Sequence, residues 1–245
     1  MQATAASALG SDRIPVSAPR VGLLRGLALV LTKDMLIEWR TRARLNALVI
    51  FAFGTLLIFS FALGPDTQLL QRNAGGYLWL ALLFASLMAL GESFRIEREN
   101  SALEGLRLLP VDPRALFLGK ALGNAAVLVG LAFVLVPVMV GLFGVSISLG
   151  FGLLAVTLIL GCLAISAPGT LYSAVASNAR ARDVLLPLLL FPLIIPALLA
   201  AVKATTVVLQ GDPMSQLRSW FGLLLGFNLV YWGLGVALFP QVIEE

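Results

Sequence analysis

The stretch "VGLLRGLALVLTKDMLIEWRTRARL", Val21 to Leu45, decides how many times the chain crosses a membrane. Leu24, Leu27, Leu31 and Met35 recur at helical spacing, while Lys33, Asp34 and Glu38 interrupt the apolar run. A span needs about 20 predominantly apolar residues, so Val21 to Leu31 is too short unless ionisable side chains enter the hydrocarbon. With Trp39 and the basic run Arg40, Arg42 and Arg44 at its end, the stretch reads as an amphipathic helix lying in the interface. It precedes the first span and is not one itself.

Outward from there the chain is strongly apolar. Of its 245 residues 59% are hydrophobic and 12% charged, and the mean hydropathy is +0.96. Soluble domains carry about twice that charge, so the composition selects an integral membrane protein. Six apolar blocks follow, roughly Leu45 to Leu63, Gly76 to Phe94, Ala115 to Phe143, Ile147 to Ala176, Val184 to Val208 and Ser219 to Phe239. None alternates with a period of two, so the fold class is all-α with six transmembrane helices, not a barrel. The polar run Gly64 to Gly76 is expected to be an outer loop, and a very short turn near Gly144 to Ser148 to join the third and fourth spans. Pro137, Pro168, Pro187, Pro192 and Pro196 lie inside apolar blocks, where kinked or broken helices are expected.

Charge sets the orientation. With the N-terminus inside, 14 of the 17 basic residues fall on the cytoplasmic side, leaving only Arg72, Lys203 and Arg218 outside. The positive-inside rule therefore gives both termini cytoplasmic, and the pI of about 9.7 reflects this bias and not nucleic-acid binding. Residues 1–20 are rich in Ala, Ser and Pro with no apolar core, and read as a disordered tail ahead of one membrane domain over 21–245.

The densest charge lies between the second and third spans, in "ESFRIERENSALEGLRLLPVDPRALFLGK", Glu92 to Lys120. Ser101 and Glu104 fit a capping box, so a short helix is expected from Ala102 to Leu109, stopping before Pro110. Asp112 and Pro113 read as the cap and first residue of the third span. Leu103, Leu106 and Leu109 form an apolar edge, flanked by Arg98, Glu99, Glu104 and Arg107. Such a helix either anchors the fold in the interface or docks a cytoplasmic partner, and physics alone leaves both open.

Elsewhere, single residues stand out. Glu92 and Lys120 face the same inner boundary, where they fix two helices to one another or transmit force between them. Asn124 and Asn228 are expected to hydrogen-bond between helices. Lys203 reads as a snorkelling anchor near the outer surface, and Cys162 as a small buried residue. Trp79, Trp220, Tyr77, Tyr231 and Trp232 read as belt or packing residues.

The chain has no histidine, no cysteine pair and no phosphate-binding loop of the G-x-x-x-x-G-K-[ST] type. Gly119-Lys120-Ala121 lacks both the first glycine and the hydroxyl. It is expected to be no enzyme, and any nucleotide chemistry must come from another polypeptide.

Three motifs in order resemble one known family. "KDMLIEWRTR" (Lys33 to Arg42), "GESFRIERENSALEGLRLLPVDPRALFLGK" (Gly91 to Lys120) and "APGTLYSAVASNARARDVLLPLLLFPLIIP" (Ala167 to Pro196) are similar to the haem exporter protein B (CcmB) family, over roughly Val21 to Phe239. Pro168 before Gly169-Thr170-Leu171 departs from the family's usual pattern. The resemblance implies an ABC-2 type permease in the bacterial inner membrane, serving cytochrome c biogenesis. It implies a homodimer, a separate cytoplasmic ATPase (the A subunit) that binds the ATP, C and D membrane subunits, and the E haem chaperone. Haem is then a cargo exported by the complex, or one released from it on the chaperone, and this chain binds no cofactor of its own. The same resemblance makes the region 95–110 the coupling helix, with Arg95, Arg98, Glu99, Leu103, Glu104, Leu106 and Arg107 meeting the ATPase and Glu92 and Lys120 passing on its motion. Two rivals remain at this stage, an ABC-2 exporter of a glycan or drug and a passive membrane scaffold.

Overall fold

The computed structural model describes residues 22–64, 66–93, 112–177 and 182–244. Among them the chain forms helices and no strand: α1 (Leu23–Arg40), α2 (Arg42–Leu63), α3 (Thr67–Ser93), α4 (Pro113–Phe143), α5 (Phe151–Ser177), α6 (Arg182–Gln210) and α7 (Leu217–Glu244). The six from α2 to α7 are long and apolar enough to cross a membrane, and α1 is not among them. The six-span reading holds. The expected tail (residues 1–20) and the expected short helix within 95–110 lie outside the described residues.

Burial separates centre from periphery. In the most apolar window 61% of α3 and 56% of α5 is buried, against 17% of α2 and 11% of α7. Thus α3 and α5 form the middle of the bundle, and the outward faces of α2 and α7 carry exposed apolar side chains such as Ile50, Phe61, Leu225 and Leu229. In a bilayer such side chains face lipid as favourably as they would face protein.

Local chemistry accounts for the helix ends. Asp112 caps α4, its carboxylate accepting from the Arg114 amide at 2.8 Å, with Pro113 as the first helical residue, as the sequence indicated. At the opposite end of α4, Gly144 takes a left-handed conformation (φ 63°, ψ 32°) and its N–H bonds to the Val140 carbonyl. The turn after it is tied down: the Ser148 hydroxyl donates to the Leu209 carbonyl at 2.7 Å, and the Leu149 amide to Val208 at 3.0 Å.

One expectation needs correction. The run from Gly64 to Gly76 is not a loop throughout, because α3 begins at Thr67. Asp66 starts it by accepting from the Leu69 amide at 3.0 Å, and Gln71 on its first turns donates to the Gly144 carbonyl at 2.8 Å. Of the kinked or broken helices expected at the prolines, none is broken. Pro137 lies inside α4, Pro168 inside α5, and Pro187, Pro192 and Pro196 inside α6, each helix continuing through.

The chain breaks at Thr41, between α1 and α2, and α1 turns back onto the start of α4. Its packed face takes in Leu27, Leu31 and Met35 of the leucine stripe but not Leu24. Leu24 is 78% exposed, while Gly26, Val30 and Glu38 are buried. Spaced by four with Asp34, these residues form one side of the helix. Val30 and Asp34 meet Gly119 and Gly123 of α4, where a missing side chain lets the two helices approach. Gly119 touches Leu27 and Val30, and Gly123 touches Leu31, Asp34 and Met35, so α1 and α4 run in the same direction along this contact.

Candidate functional site

The last described turn of α3 is where polar side chains converge. Helix α4 is about 46 Å long at 1.5 Å per residue, well beyond a hydrocarbon core of about 30 Å. Counting about 20 residues back from Phe143 reaches Gly123 and Asn124, so Lys120 and Asn124 stand at the membrane boundary on the α1 side. An ammonium is tolerable there and costly one turn deeper.

Three helices hold the α3 carbonyls at this level. Arg44 of α2 donates to Ala89 at 2.6 Å, Ser173 of α5 to Leu90 at 2.6 Å, and Lys120 of α4 to Ser93 at 3.0 Å. Asn124 adds a further tie, its amide donating to the Ser93 hydroxyl at 3.2 Å and to the Thr170 hydroxyl at 2.9 Å. The end of α3 is thereby joined to α2, α4 and α5 at once.

Helix α1 closes the cluster with its two acids. Asp34 lies 3.4 Å from the Lys120 ammonium, and Glu38 accepts from Arg44 at 2.7 Å. Lys120 is 3% exposed, so its charge is stable only with such partners. Burial pushes the Glu38 carboxyl above its ordinary value, Arg44 pulls it part of the way down, and Asp34 raises it again. Glu38 Oε1 and Arg44 Nε are buried and make no hydrogen bond among the described residues. Both residues line a cavity of about 40 Å3, bounded also by Asp34, Ser93, Lys120 and Asn124. That is room for water between the charges.

The two cations of the cluster, Lys120 and Arg44, are matched by the two acids of α1, and the cluster joins the last described turn of α3, which precedes residues 94–111, to α2, α4 and α5.

Of the residues singled out in the sequence, Arg95, Arg98, Glu99, Leu103, Glu104, Leu106 and Arg107 lie outside the described residues. Glu92 is half-buried on the same last turn of α3 as Ser93. Lys120 donates to the Ser93 carbonyl of that turn and has Asp34 of α1 as a further partner. Sequence reasoning did not find Asp34, Glu38, Arg44 and Ser173 as members of the site. The signal available was the spacing of the two acids on α1, four apart and so on one face.

The other expectations settle quickly. Asn228 of α7 donates to the Leu160 carbonyl of α5 at 3.0 Å, the interhelical role foreseen for it. Cys162 is buried, and Lys203 is exposed on α6. Trp79 is fully buried and donates to Thr205 at 2.8 Å, a packing residue and not part of a belt.

Comparison with known proteins agrees with this architecture. The family model described as CcmB protein matches residues 25–243. Heme exporter protein B of Pseudomonas aeruginosa is 33% identical over 203 residues, 82% of this chain and 90% of that protein. Heme exporter protein B of Escherichia coli K12 is 38% identical over 192 residues, covering 78% and 87% of the two chains. That of Bradyrhizobium diazoefficiens is 28% identical over 207 residues, covering 84% and 92%. A match over nearly the whole membrane bundle, charged junction included, places the chain in the CcmB protein family.

Proposed function

We propose that this protein is the membrane permease subunit of an ABC transporter for cytochrome c biogenesis, acting in the export of haem or in release of the haem-loaded chaperone. Support comes from the names its relatives carry, heme exporter protein B, and from six helices able to cross a membrane. In this reading it is an ABC-2 type permease in the bacterial inner membrane, works as a homodimer and has both termini in the cytoplasm. ATP is bound and hydrolysed by a separate A subunit, while the C and D subunits and the E chaperone complete the assembly. This chain is not an enzyme and binds no cofactor of its own.

One observation carries the mechanism. The last described turn of α3 is held by Arg44, Ser173 and Lys120, from three different helices. Residues 94–111 follow this turn directly and include the proposed coupling helix. A push delivered there by the ATPase reaches α2, α4 and α5 through hydrogen bonds, and α1 through the Asp34 to Lys120 pair. Glu92 and Lys120 act in this scheme as transmitting residues. Interfaces of this kind convert small shifts into movement of whole helices because packed cores do not deform continuously.

The test is co-purification with the A-subunit ATPase in detergent, comparing the native chain with a Leu103→Asp, Leu106→Asp double variant whose membrane insertion is checked. The native chain is expected to retain the ATPase and the variant to lose it. Retention by the variant removes the coupling role from 95–110, and failure of the native chain to bind removes the permease reading. ATP-dependent function lost in the variant with the remaining assembly intact excludes a passive scaffold.

A further inference from the structure

The packing of α1 sorts its charges by side. Within Gly22 to Leu63 the acids are Asp34 and Glu38, and the bases are Arg25, Lys33, Arg40, Arg42 and Arg44. Both acids turn toward the bundle, where they meet Lys120 and Arg44. Lys33 lies 3.2 Å from Asp34 at the edge of this cluster. Arg25, Arg40 and Arg42 remain exposed on the other side, with no acid of this segment left to match them. The first turn of α2, which Arg42 opens, carries no acidic residue and no side-chain cap.

Large apolar side chains share that outward side. Trp39 is 71% exposed, Leu36 56% and Leu29 57%. Positions 29, 36 and 40 fall on one stripe of a helix, and Trp39 stands beside its end. The inner face of α1 is committed to Gly119 and Gly123 of α4, so the outward face is fixed in direction and cannot roll away. A partner of this face must offer negative charge to the arginines and hydrocarbon to the tryptophan and leucines, over the same few residues. An anionic lipid meets both demands in one molecule, because its phosphate sits directly above its acyl chains. A zwitterionic lipid supplies the chains with a neutralised headgroup.

We propose that the α1 to α2 corner binds anionic phospholipid, with Arg40 and Arg42 holding the headgroup phosphate and Trp39 and Leu36 seated among the acyl chains.

The test uses the full chain in bilayers that mix phosphatidylglycerol and phosphatidylcholine at fixed proportion, with bromine on the acyl chains of one lipid or the other. The quenching due to Trp39 is the difference between the native chain and Trp39→Phe. Brominated phosphatidylglycerol is expected to quench Trp39 more than brominated phosphatidylcholine, with the preference falling on the order of fivefold for each arginine removed. Arg40→Gln with Arg42→Gln should abolish it, and Arg40→Lys with Arg42→Lys should retain most of it. Added salt should weaken it in the native chain. Equal quenching by the two lipids overturns the proposal, as does a preference that survives the double glutamine change. The same measurement with the ATPase subunit bound decides against a protein occupant: quenching that persists supports the lipid site, and quenching lost on binding assigns the face to the ATPase.

Discussion

Val30 of α1 packs directly onto Gly119 of α4, so closely that a Cβ built on the glycine would lie 2.7 Å from both Cβ and Cγ1 of the valine and 3.2 Å from the Leu27 carbonyl. No atom in that set is the free end of a flexible side chain. The contact fixes α1 against the bundle and brings Asp34 and Glu38 to their partners.

Gly119→Ala should therefore displace α1. Overpacking of this kind costs about 1–3 kcal/mol, and the variant is expected to unfold at a lower temperature in detergent than the native protein. Val30→Gly added to it removes both clashing carbons and should recover part of the loss, less about 1 kcal/mol for a glycine within a helix. A double variant no more stable than Gly119→Ala would place the strain elsewhere.

The Asp34 to Lys120 pair lends itself to a double-mutant cycle. Lys120→Met leaves Asp34 paired with Lys33, and Asp34→Asn takes a carboxylate away from a 3% exposed ammonium. Each single change is expected to destabilise by less than the about 3–5 kcal/mol of a fully buried pair, because the Asp34 side chain is one-fifth exposed. The two together should cost less than their sum. Additive losses in thermal or chemical unfolding would show that the two charges do not interact.

Glu38 makes the junction sensitive to rising pH. Its carboxyl is raised above the ordinary 4.5, chiefly by burial, so the folded chain binds the proton more tightly than the unfolded chain does. Its contribution is thus fully present below pH 4.5 and is lost as pH rises through the folded value. Unfolding temperature measured across this window should fall with rising pH in the native chain. Glu38→Gln should flatten that part of the profile, and an unchanged slope would assign the titration to another group.

Most of the bundle could be read from the sequence because a bilayer demands long apolar helices and little else. Asp112 and Pro113 marked the start of α4 through local chemistry, which needs no knowledge of the fold. The face of α1 could not be read in the same way. Its leucines announce a stripe through Leu24, and Leu27, Leu31 and Met35 of it do reach α4, yet the most buried line runs beside them through Gly26, Val30 and Glu38, with Asp34 among them, because the partner helix supplies two glycines and a lysine there. Asp66 converted an apparently polar loop into the first turns of α3 for a similar reason, since Gln71 finds its partner at Gly144, far away in the chain. Arg44 looked like one member of a basic run and turned out to be committed to Glu38 and Ala89.

Ser173 offers the most selective probe of the clamp on α3. Its hydroxyl donates to the Leu90 carbonyl at 2.6 Å, and removing it changes neither charge nor helix packing appreciably. Ser173→Ala should cost about 0.6–2 kcal/mol, the range for one hydrogen bond between helices in a membrane. The loss should be local. Amide hydrogen exchange in the turn from Ala89 to Ser93 is expected to speed up, while the middle of α3 around Trp79, held by Thr205, keeps its protection. Thr205→Val serves as the opposite control, loosening the Trp79 region and leaving the last turn unchanged. If the permease reading is right, Ser173→Ala should also weaken the link between ATP hydrolysis by the partner and the work of the complex, with ATPase binding intact, whereas Thr205→Val of similar stability should not. Equal effects of the two variants on that link would reduce the clamp to one packing contact among many.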